Sequence, residues 1–188
     1  ATDGRVAEGQ VGAGTGATVG KLLGPAGAMP GGVGTWALRG PGCTVGALVV
    51  VNAVGDVLDA EGRIVSGARG PDGRFIDSTR AIAEGILVPD VLRPPEPGTN
   101  TTLAVVATDA PLTRAALQSL ARAASTAMAR RISPVHSPFD GDVTFALSTA
   151  LEPVELSPAF LLTLGVLASR ALEQAIERAV TVPQTRNP

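Results

Sequence analysis

Asn100-Thr101-Thr102-Leu103-Ala104-Val105-Val106-Ala107-Thr108 is the stretch on which the reading of this chain turns. From Leu103 the residues are small, apolar or β-branched, which predicts a buried strand, while Pro89, Pro94, Pro95 and Pro97 break up the chain just before it. Asn100 and Thr101 therefore stand where loose chain enters the core. A threonine hydroxyl is a poor nucleophile until a base takes its proton, and a free α-amino group on the same residue supplies such a base near neutral pH. Thr101 gains that amine if the bond before it is cut. A hydroxyl at the start of a strand can also attack the preceding carbonyl, moving the acyl group from nitrogen to oxygen before water releases it, and Gly98 gives that turn latitude. Taken alone, Asn100-Thr101 reads more readily as an ordinary turn and strand start.

Upstream, the run Thr44 to Asn52 is continuously apolar and β-branched, which predicts a central strand covered on both faces. Val57-Leu58-Asp59 and Arg63-Ile64-Val65 flank Ala60-Glu61-Gly62 as a hairpin. Gly9 to Gly42 is dominated by Gly, Ala and Pro and predicts irregular backbone near a site. Ala68 to Thr99 reads as a mobile surface stretch with one short helix, Ser78 to Gly85. Downstream, a helix is expected from Pro111 to Arg131, with Leu117, Leu120, Ala121, Ala124 and Met128 on one face. A Pro-rich turn with His136 follows, then Phe139-Asp140-Gly141-Asp142 and a strand from Val143 to Ser148. The last helix has Ser157 as N-cap, Pro158 in its first position and a stripe of Leu161, Leu164, Ala168, Leu172 and Ile176. The mixture predicts a layered α/β sandwich.

With 188 residues, 45% hydrophobic and 17% charged, the chain suits one compact domain. A net charge of −2 without a basic stripe argues against nucleic acid. Cys43 is the only cysteine, so no internal disulfide forms, and a cytoplasmic setting follows. The nearly apolar run Ala159 to Ala168 falls short of the ~20 residues that span a bilayer, so a soluble protein without a membrane partner is expected. The opening Ala1-Thr2-Asp3-Gly4-Arg5 has neither an initiator Met nor a secretory pattern, which suggests a fragment of a longer precursor.

Gly12-Ala13-Gly14-Thr15-Gly16-Ala17 matches a loosened dinucleotide fingerprint, but no apolar strand precedes it and no acid follows about 20 residues later. A phosphate loop ending at Gly20-Lys21 fails because Leu22 replaces the Ser or Thr that holds magnesium. Lys21 still stands out: of 15 basic residues it is the only lysine. It either depresses the pKa of a nearby amine by like-charge repulsion or hydrogen-bonds to acids. Asp140-Gly141-Asp142 sets two carboxylates at strand period two around a glycine that admits another backbone, to orient a hydroxyl or ammonium or simply to form a solvated turn. Asn52 ends an apolar strand, where its amide either donates to a developing oxyanion or closes a turn. His136 reads as a loop or packing residue, and no metal or cofactor is assigned.

Gly12 through Lys21, the strand ending at Asn52, Asn100-Thr101-Thr102 and Phe139-Asp140-Gly141-Asp142 together resemble the DmpA-like family of D-aminopeptidases, β-peptidyl aminopeptidases and nylon-oligomer hydrolases. The resemblance covers essentially the whole chain and lacks only the family's N-terminal portion. It implies an αββα four-layer sandwich resembling the N-terminal nucleophile hydrolases, and a precursor that cuts itself between Asn100 and Thr101. The upstream segment would be 1–100 and the downstream segment 101–188. Thr101 would then be the nucleophile with its own amine as base, Asn52 would hold the oxyanion, and Asp140, Asp142 and Lys21 would set the charge and orientation of Thr101. The Asn-Thr junction and the paired aspartates are similar to the 6-aminohexanoate-oligomer hydrolase branch, whereas the aminopeptidase branch has Ser as nucleophile and Ser and Glu at the positions of Asp140 and Asp142. The implied partners are a small amide or oligomer substrate, the missing N-terminal segment of the precursor, and further copies in a homo-oligomer. An acyltransferase of the ornithine acetyltransferase type, or an uncleaved non-catalytic relative, is the alternative.

Overall fold

The computed structural model describes residues 4–86 and 100–182. In chain order, β1 (Thr18–Val19) pairs with β2 (Met29–Pro30), β3 (Gly32–Gly40) with β4 (Cys43–Val51), and β5 (Asp56–Leu58) with β6 (Ile64–Ser66). Then follow α1 (Ser78–Ala83), β7 (Leu103–Thr108), α2 (Arg114–Arg131), β8 (Ile132–Ser133), β9 (Val143–Ser148) and α3 (Pro158–Thr181). The main sheet has the order β3-β4-β7-β9, and only its last pair is parallel, with α2 inside the crossover between β7 and β9. A smaller sheet has the order β6-β5-β8.

Both long helices begin where their caps require. The Thr113 side chain accepts the Ala116 N–H before α2, and Ser157 accepts the Phe160 N–H before α3, with Pro158 where a missing N–H costs nothing. The two helices pack on each other and cover one face of the main sheet. Leu164, Ala168, Leu172 and Ile176 of α3 are completely buried in one cluster with Val45, Val49, Val51, Ala104 and Val106 of the strands. Each large side chain among them contributes roughly 1.5 to 3 kcal/mol by leaving water. By length and composition α3 would suffice to cross a membrane, yet here it serves as the core helix.

The opposite face of the sheet carries Leu48, Leu103, Val143, Phe145 and Leu147, all of them exposed. The described residues thus form one helix layer and one main sheet of the expected sandwich, and β4 is covered on one face rather than two. The Gly-rich segment also differs from expectation, because Gly32–Gly40 is a regular strand. Its small residues suit close helix packing: a Cβ on Gly34 would stand 1.9 Å from the Ala175 carbonyl oxygen, and one on Gly40 would stand 2.3 Å from Leu167. Residues 68–86 lie mostly at the surface, as expected, but are anchored at Ala68, Ser78 and Ala81. Leu22, Ala68 and Ala81 form a second small core, and Asp77 caps α1 by accepting the Arg80 N–H. Pro89, Pro94, Pro95 and Pro97 lie outside the described residues. The two-residue strand β8, hydrogen-bonded to β5, was not foreseen.

Candidate active site

Antiparallel pairing of β4 with β7 sets Val50 opposite Leu103, so continuing the ladder brings Asn52 beside Thr101. The Thr101 N–H donates to the Asn52 carbonyl at 2.9 Å. On the other side the chain leading into β9 runs along the same segment, with the Gly141 N–H donating to the Asn100 carbonyl at 2.9 Å and the Val143 N–H to that of Thr102 at 3.1 Å. The junction is therefore gripped from both flanks. Thr101 Oγ1 donates to the Asn100 carbonyl oxygen at 2.7 Å. Only glycine fits at position 141 without displacement, since an added Cβ would stand 2.8 Å from that hydroxyl.

Lys21 enters from a one-turn helix, Lys21–Leu23, that follows Gly20 in the left-handed region. Its Nζ donates to Asn52 Oδ1 and to Asn100 Oδ1, each at 2.8 Å, and Asn52 Oδ1 also accepts the Thr18 N–H at 3.0 Å. Burial pushes the ammonium down from 10.5 to about 8, against the opposing pull of the Asp140 charge. A cleft of about 450 Å³ opens here, lined among others by Thr15, Thr18, Lys21, Asn52, Thr101 and Leu103.

The two aspartates act through backbone groups beside the junction. Among the described hydrogen bonds neither reaches the Thr101 hydroxyl. Asp142 accepts the Thr102 N–H at 2.7 Å through Oδ1, and its Oδ2 meets the backbone N–H of His136 at 3.3 Å and His136 Nδ1 at 3.2 Å. Asp140 accepts the Ser137 N–H and hydroxyl at 2.9 and 2.6 Å and lies 3.5 Å from the Val54 nitrogen. They brace the backbone on either side of Gly141, and Asp140 adds a charge that Lys21 feels. The structure thus brings Lys21, Asn52, Asn100 and Thr101 into one hydrogen-bonded group, with Asp140 and Asp142 bracing it.

Three contributors escaped the sequence reading. Gln10 ties the Gly-rich rim together, its amide donating to the Ala17 and Gly31 carbonyls and accepting the Gly16 N–H. Ser137 stands three residues before Asp140, a spacing at which a short side chain caps a turn and which could have singled it out. The Gly141 N–H is a backbone group and leaves no signal in side-chain chemistry.

Comparison with known proteins identifies relatives of this chain. The family model for Peptidase family S58 matches residues 1–186. An uncharacterized aminopeptidase of Mycobacterium leprae is 39% identical over 97% of this chain and 51% of its own length. The 6-aminohexanoate-oligomer endohydrolase of Kocuria sp. is 29% identical over 71% of this chain and 39% of its own. Among solved structures, the L-aminopeptidase D-Ala-esterase/amidase from Ochrobactrum anthropi, described as a new variant among the Ntn hydrolase fold, superposes with a TM-score of 0.63 at 26% identity, over 95% of this chain and 46% of that one. The chain spans about half the length of its mycobacterial relatives. Its fold is that of the N-terminal nucleophile hydrolases.

Proposed function

We propose that this chain, which belongs to peptidase family S58, is the nucleophile-bearing part of a self-cleaving amide hydrolase whose N-terminal threonine is Thr101. One observation carries the reading: the Thr101 hydroxyl lies 2.7 Å from the carbonyl oxygen of the bond it would cut, and the Gly141 N–H already holds that same oxygen.

In the intact chain the Thr101 nitrogen is an amide and accepts no proton. The group suited to that task is Lys21, partly neutral near pH 8. Thr101 Oγ attacks the Asn100 carbonyl carbon, and the Gly141 N–H meets the charge that develops on oxygen. The C–N bond breaks as its nitrogen takes up a proton, leaving an ester on Thr101 and a free amine. Water then hydrolyses the ester, giving an Asn100 carboxylate and a restored hydroxyl. In turnover the new amine removes the hydroxyl proton, the substrate acyl group passes to Oγ, its amine leaves protonated, and water completes the cycle. The Asn52 side chain and the Gly141 N–H, vacated by Asn100, serve the substrate's oxyanion.

The described walls of the cleft carry the cation Lys21 and no carboxylate, which favours internal amides of linear substrates or short oligomers over the ammonium end of a peptide. Relatives named as aminopeptidase and as oligomer endohydrolase both support amide cleavage. The open sheet face suits the remaining half of the precursor as a partner, within a cytoplasmic homo-oligomer.

Intact mass spectrometry at neutral pH tests the reading. The wild-type protein is expected to divide into pieces ending at Asn100 and beginning at Thr101, at a rate that rises with pH through about 8, where Lys21 loses its proton. Thr101→Ala is expected to stay whole, with self-cleavage slowed at least ~1,000-fold. A wild type that stays whole from pH 7 to 9 would remove the self-processing reading and leave a non-catalytic relative in its place.

A further inference from the structure

Asp56, the first residue of β5, is 1% exposed and meets no cation among the described ion pairs. Its Oδ1 accepts the Ala68 N–H at 2.8 Å and the Ser78 hydroxyl at 2.9 Å, and its Oδ2 accepts the Ser78 N–H at 2.8 Å. Burial pushes its pKa up against the pull of those hydrogen bonds, and the nearby Asp77 charge adds to the rise. A carboxylate kept at that cost holds something in place.

What it holds is the wall behind Lys21. The Ala68 N–H belongs to the Gly67–Ala68 peptide, and Gly20 lies flat against it, since a Cβ on Gly20 would stand 2.0 Å from the Ala68 nitrogen. Gly67 is equally tight on the carboxylate, with an added Cβ falling 2.4 Å from Asp56 Oδ1. From the other direction the carbonyls of Val54 and Gly55, just ahead of Asp56, accept the N–H groups of Lys21 and Gly20 at 2.9 Å each. Leu22, the next residue, is completely buried with Ala68 and Ala81. The short segment ending in Asp56 therefore grips Gly20-Lys21 directly by its backbone and, through its carboxylate, fixes the surface against which they rest.

We propose that Asp56 is a positioning residue: by clamping the Gly67–Ala68 peptide against Gly20, it fixes where the Lys21 ammonium stands beside Asn52, Asn100 and Thr101. This deepens the role given to Lys21 above and rests on it for its catalytic consequence. The charged and polar groups facing Lys21 include, among the described residues, Asp140, the side-chain amide oxygens of Asn52 and Asn100 and the Asn52 backbone carbonyl, and Asp77 bears on Asp56.

Because Lys21 is the only lysine, labelled lysine gives one side-chain NMR signal in the 188-residue chain. Titration is expected to place the wild-type midpoint near 8. Asp56→Asn leaves one acceptor where two N–H groups, of Ala68 and Ser78, each have their own oxygen, sets an NH2 against one of them, loosens the wall, and is expected to raise that midpoint by about half a unit to one unit as water reaches the ammonium. Gly67→Ala keeps the carboxylate but forces it aside, and is expected to shift the midpoint in the same direction, so it decides the matter if Asp56→Asn does not fold. The pH profile of self-cleavage is expected to move in step. A folded variant of either kind with an unmoved Lys21 midpoint would overturn the proposal. A moved midpoint with unchanged cleavage supports the clamp and instead removes Lys21 as the base.

Discussion

Val49 and Val106 are completely buried, while Leu48 and Leu103, in the same two strands, are 38% and 44% exposed. The difference follows from period two: odd residues of β4 and even residues of β7 face α2 and α3, and their neighbours face away. A sheet meant for water on one side alternates apolar with polar, but here Leu48, Val50, Val105, Phe145 and Leu147 continue the apolar pattern on the uncovered side. Such strands are made to be covered twice. The cleft at Thr101 is lined by Val50 and Leu103, so the candidate nucleophile sits at the rim of the face that the described residues leave open. The candidate site and the incompletely buried face meet at one place.

The sharpest way to break this contrast is on the covered face. Gly34→Val would drive a side chain into the Ala175 carbonyl, push α3 off β3, and cost roughly 3 kcal/mol or more in a urea unfolding curve. A loss under about 1 kcal/mol would mean that α3 is free to slide. At the sheet edge, where the two faces meet, Glu8 accepts the Thr35 N–H and pairs with Arg178 of α3, which lies over the Trp36 ring. The Arg178 partner holds the Glu8 carboxyl down from 4.5 to about 2. The folded state therefore binds this proton less readily than the unfolded chain, so the pair's contribution is complete above about 4.5 and is lost as pH falls toward 2. Allowing for solvent screening, about 1 to 2 kcal/mol should disappear over that window, and a Glu8→Gln variant should lack this part of the acid sensitivity. Smallest is the open face: Leu48→Ser with Phe145→Ser should change the stability of this chain by no more than ~0.5 kcal/mol while reducing hydrophobic dye binding. A loss of 2 kcal/mol or more would show that something already covers the face.

Much of this was legible in the sequence where a local rule sufficed. Ser157, Pro158 and the stripe through Ile176 announce α3, and the alternating run at Val143 announces β9. The strand β3 stayed hidden because its residues were chosen by the closeness of α3, a tertiary fact that looks like loop composition in one dimension. Of the site, Lys21, Asn52, Asn100 and Thr101 stood out by chemical singularity, position and family resemblance. The posts of Asp140 and Asp142 did not, since Val54 and Thr102, their distant backbone partners, carry no pattern that names them. Asp56, one residue ahead of the expected hairpin, drew no reading at all, because its bonds to Ala68 and Ser78 cross 12 and 22 residues.

The strand order β3-β4-β7-β9 decides what the proposed cut between Asn100 and Thr101 would leave behind. The proposed scission would fall between β4 and β7, which would remain zipped by the ladder from Val45–Thr108 to Val50–Leu103, while α3 from the downstream piece would still lie across β3 and β4 from the upstream one. The product would be a nicked particle: a denaturing gel would show two bands and gel filtration one unchanged peak. Separately expressed pieces would meet through that ladder, through the pairing of β5 with β8 and through the packing of α3 on β3 and β4, which makes the junction ahead of β7 a natural split point for reassembling the protein from halves.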